Sequence, residues 1–231
     1  MNVDQCSAAA AQFETGISCY SDDREAAVEW WRKAADQGHA EAQYLIGLCH
    51  HEKGTTVDKV SSVEWFRKAA AQGHAKAQHS IGCAYFYGDG VPVDRASAVA
   101  WFREAAERGH ADAQDTIGGL VCADGDAAAA VEWFRKAADQ GLAKAQYHIG
   151  CAHYLGHGVP VDHAAAVEWW YKAADQGHAD AQGSIRLLCA RTPVHRRDDK
   201  AKAKRVRKTK PNGRTGRNNA PPQGQEYSTD Q

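Results

Sequence analysis

AVEWWRKAADQGHAEAQ, residues 27–43, is the stretch on which the architecture turns. It returns as SVEWFRKAAAQGHAKAQ from Ser62, AVAWFREAAERGHADAQ from Ala98, AVEWFRKAADQGLAKAQ from Ala130 and AVEWWYKAADQGHADAQ from Ala166. All seven tryptophans of the chain lie inside these five copies. The first tryptophan of each copy (Trp30, Trp65, Trp101, Trp133, Trp169) follows the last after 35, 36, 32 and 36 residues. A period of that length belongs to stacked two-helix units, each of which buries its apolar face against a neighbour.

Within the phrase, Ala27, Trp30, Trp31, Ala34, Ala35 and Gly38 recur at three- and four-residue steps and form one helical stripe. Glu29, Arg32, Lys33 and Asp36 fall on the opposite side, facing water. Gly38 ends this helix, B, because glycine accepts the left-handed conformation just past a C-terminus. The next helix, A, carries Ala40, Ala42, Gln43, Ile46 and Gly47. From the first tryptophan of B to the glutamine of the next A is 13 residues in all five copies. From that glutamine to the following tryptophan the distance varies from 18 to 23. The B-to-A turn is thus fixed and the A-to-B loop tolerates insertion. In the long loops YGDGVPVD and LGHGVPVD, Gly88 or Gly156 ends helix A and Asp94 or Asp162 caps helix B.

The phrase, with its AQxxIG helix and GxGVPxD loop, resembles the Sel1-like repeat family, relatives of the tetratricopeptide repeats. The resemblance implies an all-α fold: a right-handed α–α superhelical solenoid of about five two-helix repeats plus a terminal helix. It also implies an adaptor or scaffold, not an enzyme, with the A helices lining a concave face. On this reading residues 1–7 are a flexible N-terminus, 8–190 the solenoid and 191–231 a disordered basic tail. The fourth copy, IGGLVCADGDAAAAVEW, departs by lacking the GVPxD loop. In the last A helix, Arg186 stands where Gly16, Gly47, Gly82, Gly118 and Gly150 let a neighbour approach, so the stack should end near Ala190.

Counting helix A from the alanine three residues before its glutamine, the second, fifth and ninth sites share one face. Their chemistry varies from copy to copy, whereas the framework repeats. That face is the expected groove for a protein or peptide partner, with Tyr44, Leu48, His79, Cys83, Asp115, Tyr147 and Cys151 as contacts. The competing reading is that the same side chains fill gaps between adjacent A helices.

Other chemistry is weaker. The Gly-His pairs occur once per repeat and read as turn residues, since metal ligands must converge within ~2 Å of one ion. Cys49, His50 and His51 diverge around their helix and do not chelate one ion readily, while Cys151 with His153, His157 and His163 runs into a loop and reads as adventitious. No metal, cofactor or catalytic residue is expected; no GxSxG, phosphate-loop or HExxH motif is present. The enzymatic alternative is β-lactam binding or hydrolysis, known for some secreted relatives that carry paired cysteines. Here seven cysteines include no CxxC, and the first residues lack a signal-peptide pattern. The cysteines read as reduced packing residues of an intracellular protein, cytoplasmic with a nuclear option.

The formal net charge of −1 conceals a split. Residues 191–231 hold 12 Lys or Arg against 4 Asp or Glu, so the repeat region is acidic. Lys200, Lys202, Lys204, Arg205, Arg207, Lys208 and Lys210 form a candidate nuclear-import signal. The alternative is an electrostatic contact of this tail with nucleic acid or an acidic surface; nucleic acid is expected at the tail alone, because the folded body is acidic. The sequence does not define an oligomeric state.

Overall fold

The computed structural model describes residues 3–191, with side chains placed from 7 to 188. Among the described residues the regular structure consists of eleven α-helices. They are α1 (Val3–Cys19), α2 (Arg24–Asp36), α3 (Ala40–Lys53), α4 (Thr56–Ala70), α5 (Ala75–Tyr87) and α6 (Arg95–Glu107), then α7 (Ala111–Ala123), α8 (Ala127–Asp139), α9 (Ala143–Leu155), α10 (His163–Asp175) and α11 (Ala179–Arg191). Helix α1 begins inside the segment 1–7 expected to be flexible. The basic cluster from Lys200 to Lys210 lies outside the described residues.

Two compact units divide within α7, between Ile117 and Gly118. The sequence suggested one continuous stack, and the division falls in the copy whose loop departs from the others. In the first unit α1 packs on α2, α3 on α4 and α5 on α6, and α2 and α4 each also pack on the helix that follows. In the second unit α9 packs on both α8 and α10, and α10 on α11.

The fixed turn has a physical explanation. After α2, Gly38 adopts φ +90°, its N–H donates to the Ala35 carbonyl, and the His39 N–H reaches back to Ala34. This is a Schellman ending. The same pair of bonds recurs at Gly73, Gly109, Gly141 and Gly177. His39, His74, His110 and His178 then cap the next helix, each Nδ1 accepting the backbone N–H three residues on. The Gly-His pairs are therefore a C-cap and an N-cap joined. The long loops also follow expectation: Gly88 and Gly156 are left-handed, and the Asp94 and Asp162 carboxylates each accept two backbone N–H groups.

Each A helix meets its own B helix through a glycine notch filled by a ring. Trp31 lies over Gly16, Phe66 over Gly47 and Phe102 over Gly82 in the first unit; Phe134 over Gly118 and Trp170 over Gly150 do the same in the second. A Cβ at any of these glycines would lie under 3.0 Å from ring atoms. Adjacent isoleucines (Ile46, Ile81, Ile117, Ile149) are almost wholly buried and complete the layer.

The glutamine of the AQ dipeptide ties turns together. Gln43 Nε2 donates to the Ala35 carbonyl at 3.0 Å, while its Oε1 accepts from Gln72 of the next turn at 2.8 Å. Gln146 repeats this with Ala138 and Gln176 in the second unit. At Gln78 the next-turn donor is Arg108, the residue that ERG substitutes for DQG. A buried amide with both ends satisfied joins consecutive repeats at little desolvation cost.

Candidate functional site

The A-helix face is best followed site by site. At site five, each ring stacks on the cap histidine of the following repeat. Phe13 lies 4.5 Å from His39, Tyr44 4.8 Å from His74, His79 4.6 Å from His110 and Tyr147 4.9 Å from His178, centroid to centroid. Tyr44 also meets Phe66, and burial pushes its hydroxyl up to about 12. His79 is enclosed by Phe102 at 5.3 Å, the Cys83 thiol at 3.9 Å and His110. Burial, helped by the neighbouring imidazole, lowers its pKa to about 3, so it is neutral. Asp115 at the same site is 3 % exposed.

At site nine, Leu48 is 6 % and Cys83 4 % exposed. Burial raises the Cys83 thiol to about 12, which keeps it protonated and unreactive. Tyr44, Leu48, Cys83 and Asp115 are therefore internal packing in the free chain, and the open groove expected at these four is corrected accordingly. Of these, Tyr44 is covered by Phe66 of α4 and by His74, the N-cap of α5. His79, Tyr147 and Cys151 are half-buried. Site two is more open: Lys76, Lys144 and Asp180 are exposed, whereas Glu41 accepts from or pairs with His74 Nε2 at 2.7 Å. That contact holds the Glu41 carboxyl below the usual range.

The face opens in the second unit. There site nine of α7 is Gly119, where an added Cβ would meet nothing within 4 Å, and site twelve is the exposed Cys122. A crevice of about 410 Å³ borders them. Val131 and Phe134 of α8 and Cys151 and Ala152 of α9 form its apolar walls, with His148 and His157 at its polar points. His148 leans on Phe134, 4.7 Å between centroids. Of the seven candidate contacts, Cys151 alone lines this crevice. Gly119 and Cys122 were not singled out from the sequence as contacts. Their signal is the loss of side-chain volume at sites nine and twelve, where other copies carry Leu48, Cys83, Phe86 or Tyr154.

The histidines and cysteines do not gather. Among the described residues no group of three or more His, Cys, Asp or Glu side chains is placed to hold a metal ion. His50 instead faces Asp58 at 3.3 Å and His163 packs on Tyr154. Cys19, Cys49, Cys83, Cys122 and Cys151 are free thiols. No described helix is long and apolar enough to cross a membrane.

Helix pairs repeated with one capped turn, one ring in one glycine notch and one glutamine tie define an α-solenoid protein. The Sel1 repeat model matches residues 9–39, 40–74, 75–110, 118–142 and 143–178, and the chain belongs to that family. Among solved structures, a Sel1 repeat protein from Oxalobacter formigenes is 32% identical, with a TM-score of 0.70 over 78% of this chain and 55% of its own. The protective antigen c5321 of uropathogenic Escherichia coli is 35% identical, with a TM-score of 0.66 over 75% of this chain and 39% of its own. The chain thus spans about half or less of these two relatives. The immunity protein PA5088 of Pseudomonas aeruginosa, 19% identical with a TM-score of 0.54, shares the fold; the match covers 75% of this chain and 67% of that one. No curated protein matches the chain significantly.

Proposed function

We propose that this Sel1 repeat chain is a non-enzymatic scaffold that receives a protein partner on the A-helix face of its second unit. The observation that carries this reading is the apolar crevice beside Gly119, at the site nine that Leu48 and Cys83 fill with buried side chains in other copies. Well-formed apolar pockets with a few polar points are the usual seats of binding. The exposed charges at Lys144 and Asp180 give the same unit a polar surround, the pattern of an interface rim. The basic tail acts in this reading as an address or accessory and not as the binding element.

The test is affinity capture from a cell lysate with the full chain, a Gly119→Leu variant, and a variant with Lys204, Arg205, Arg207 and Lys208 changed to Gln. A partner held by the wild type and the tail variant, and lost on filling the crevice, is the expected result. Capture that ignores Gly119→Leu and vanishes with the tail charges would overturn the proposal. Steep loss with added salt would then mark the tail as a nucleic-acid contact.

A further inference from the structure

The chain itself shows what fits over the ring of a glycine notch. In the first repeat, Tyr20 at site twelve stacks on Trp31, 5.2 Å between centroids. In the second unit, Tyr154 at the same site of α9 lies 5.3 Å from Trp170. Both tyrosines are half-buried and close the space above the notch ring with their own side chain. At the α7–α8 pair the notch ring is Phe134, over Gly118, but no aromatic covers it from site twelve. Cys122 stands there, and Gly119 removes the side chain at site nine as well. The missing volume is the crevice.

Its size and chemistry restrict the occupant. About 410 Å³ falls within the range of ~300–1,000 Å³ found for small-group binding sites. The lining contains no Asp, Glu, Lys or Arg, so a charged group would be desolvated there without an ionic partner. The Cys151 thiol is held neutral by burial, which adds no charge. Phe134 and His148 offer ring surfaces, and aromatic pairs gain about 0.5–1.5 kcal/mol beyond their buried area.

We propose that the crevice is an acceptor for one uncharged aromatic side chain of a protein partner, which takes in trans the place over Phe134 that Tyr154 takes in cis over Trp170. This rests on the reading of the second unit as a scaffold surface, and it names the partner's anchor chemistry. Aromatic anchors seated in apolar pockets are the commonest hot spots of protein interfaces.

The experiment uses isotope-labelled full-length protein and follows backbone and side-chain shifts in NMR titrations. The probes are p-cresol, a capped Ala-Ala-Tyr-Ala-Ala peptide and the same peptide with Ala for Tyr. Saturable shifts centred on Gly119, Val131 and Phe134 are expected with p-cresol and the Tyr peptide, with dissociation constants on the order of millimolar for so small a group. The Ala peptide should leave them unmoved. Cys122→Tyr supplies the missing ring in cis and should weaken binding at least tenfold; Gly119→Leu fills the same space without a ring and keeps the comparison valid if Cys122→Tyr does not fold. Absence of saturable shifts in the wild type, or undiminished binding in a folded filled variant, would overturn the assignment. Binding of p-cresol without the Tyr peptide would overturn it too, assigning the crevice to free aromatic molecules. If the Tyr peptide binds as expected while lysate capture ignores Gly119→Leu, the pocket stands and the scaffold reading fails.

Discussion

Gly82 in the first unit and Gly119 in the second sit one site apart in the register of their A helices, yet they serve opposite ends. Gly82 is a notch filled by Phe102, and site nine beside it is closed by the buried Cys83. Gly119 occupies site nine itself and faces open space, next to the notch at Gly118. The difference teaches that a filled notch and an open space are written in the same residue type, separated by 100° of helix rotation. What a glycine does in this fold depends on whether a ring from the partner helix reaches it.

The largest effect should come from emptying a notch. Phe102→Ala removes a ring that is 5 % exposed and leaves a void against Gly82, at a cost of about 3–5 kcal/mol. Phe134→Ala should cost less, because the ring already borders the crevice and the walls have room to relax. Urea denaturation of both variants measures the gap; equal losses would mean that the crevice does not loosen its own floor.

Acid should find the first unit through His79. The ring is neutral in the fold with a pKa of about 3, while the unfolded chain takes up a proton below the ordinary 6.5. Between those values the unfolded state binds more protons, so the stability that neutral His79 contributes is whole above pH 6.5 and declines as pH falls. The decline amounts to roughly 2 kcal/mol by about pH 5. His79→Tyr, which installs the residue that site five carries at Tyr44 and Tyr147, should flatten the urea midpoint over that window. A slope unchanged by the substitution would place the acid sensitivity elsewhere.

Alanine at the two glycines breaks the comparison most directly, because the signs oppose. Gly82→Ala drives a methyl into Phe102 and should cost about 1–3 kcal/mol. Gly119→Ala meets no atom and replaces the poorest of the ordinary helix formers with the best, a gain of about 1 kcal/mol. Thermal melts of the pair decide it: two losses would show that the open site is not open in solution.

How much of this was legible follows from periodicity. The B helices are amphipathic, so one stripe announced both the helix and its buried side, and the repeated Gly-His announced the turn. The A helices gave less. In α3 every residue from Ala42 to Cys49 is buried, so the helix is covered all round and carries no stripe to separate its contact with its own B helix from its contact with neighbouring A helices. Varied chemistry at Tyr44, Leu48 and Cys83 therefore reads as a recognition groove, although these side chains are buried in the free chain. The glutamine ties were visible as an unchanging Gln in every copy, but their two acceptors and donors belong to different turns and are not readable from one phrase. The crevice was signalled by an absence, Gly119 and Cys122 in place of larger side chains, which spacing alone does not register.

The smallest effect concerns the turn that differs. Four cap histidines accept a backbone N–H through Nδ1, but the N-cap residue of α9 is Leu142, which makes no side-chain cap bond. Leu142→His and Leu142→Asp each supply an acceptor for the Ala145 N–H and lose the same leucine packing, so their difference isolates the cap. A cap of this kind contributes about 0.5–2 kcal/mol. At neutral pH the two variants should have similar melting temperatures, with a small advantage to Asp because a negative charge suits a helix N-terminus. Below the ordinary histidine range the imidazole gains a proton on Nδ1 and turns from acceptor to donor, so the His variant should fall behind while Asp keeps its cap to about pH 4. Parallel melting curves across that range would mean that the histidines matter to this fold as stacking rings and not as caps.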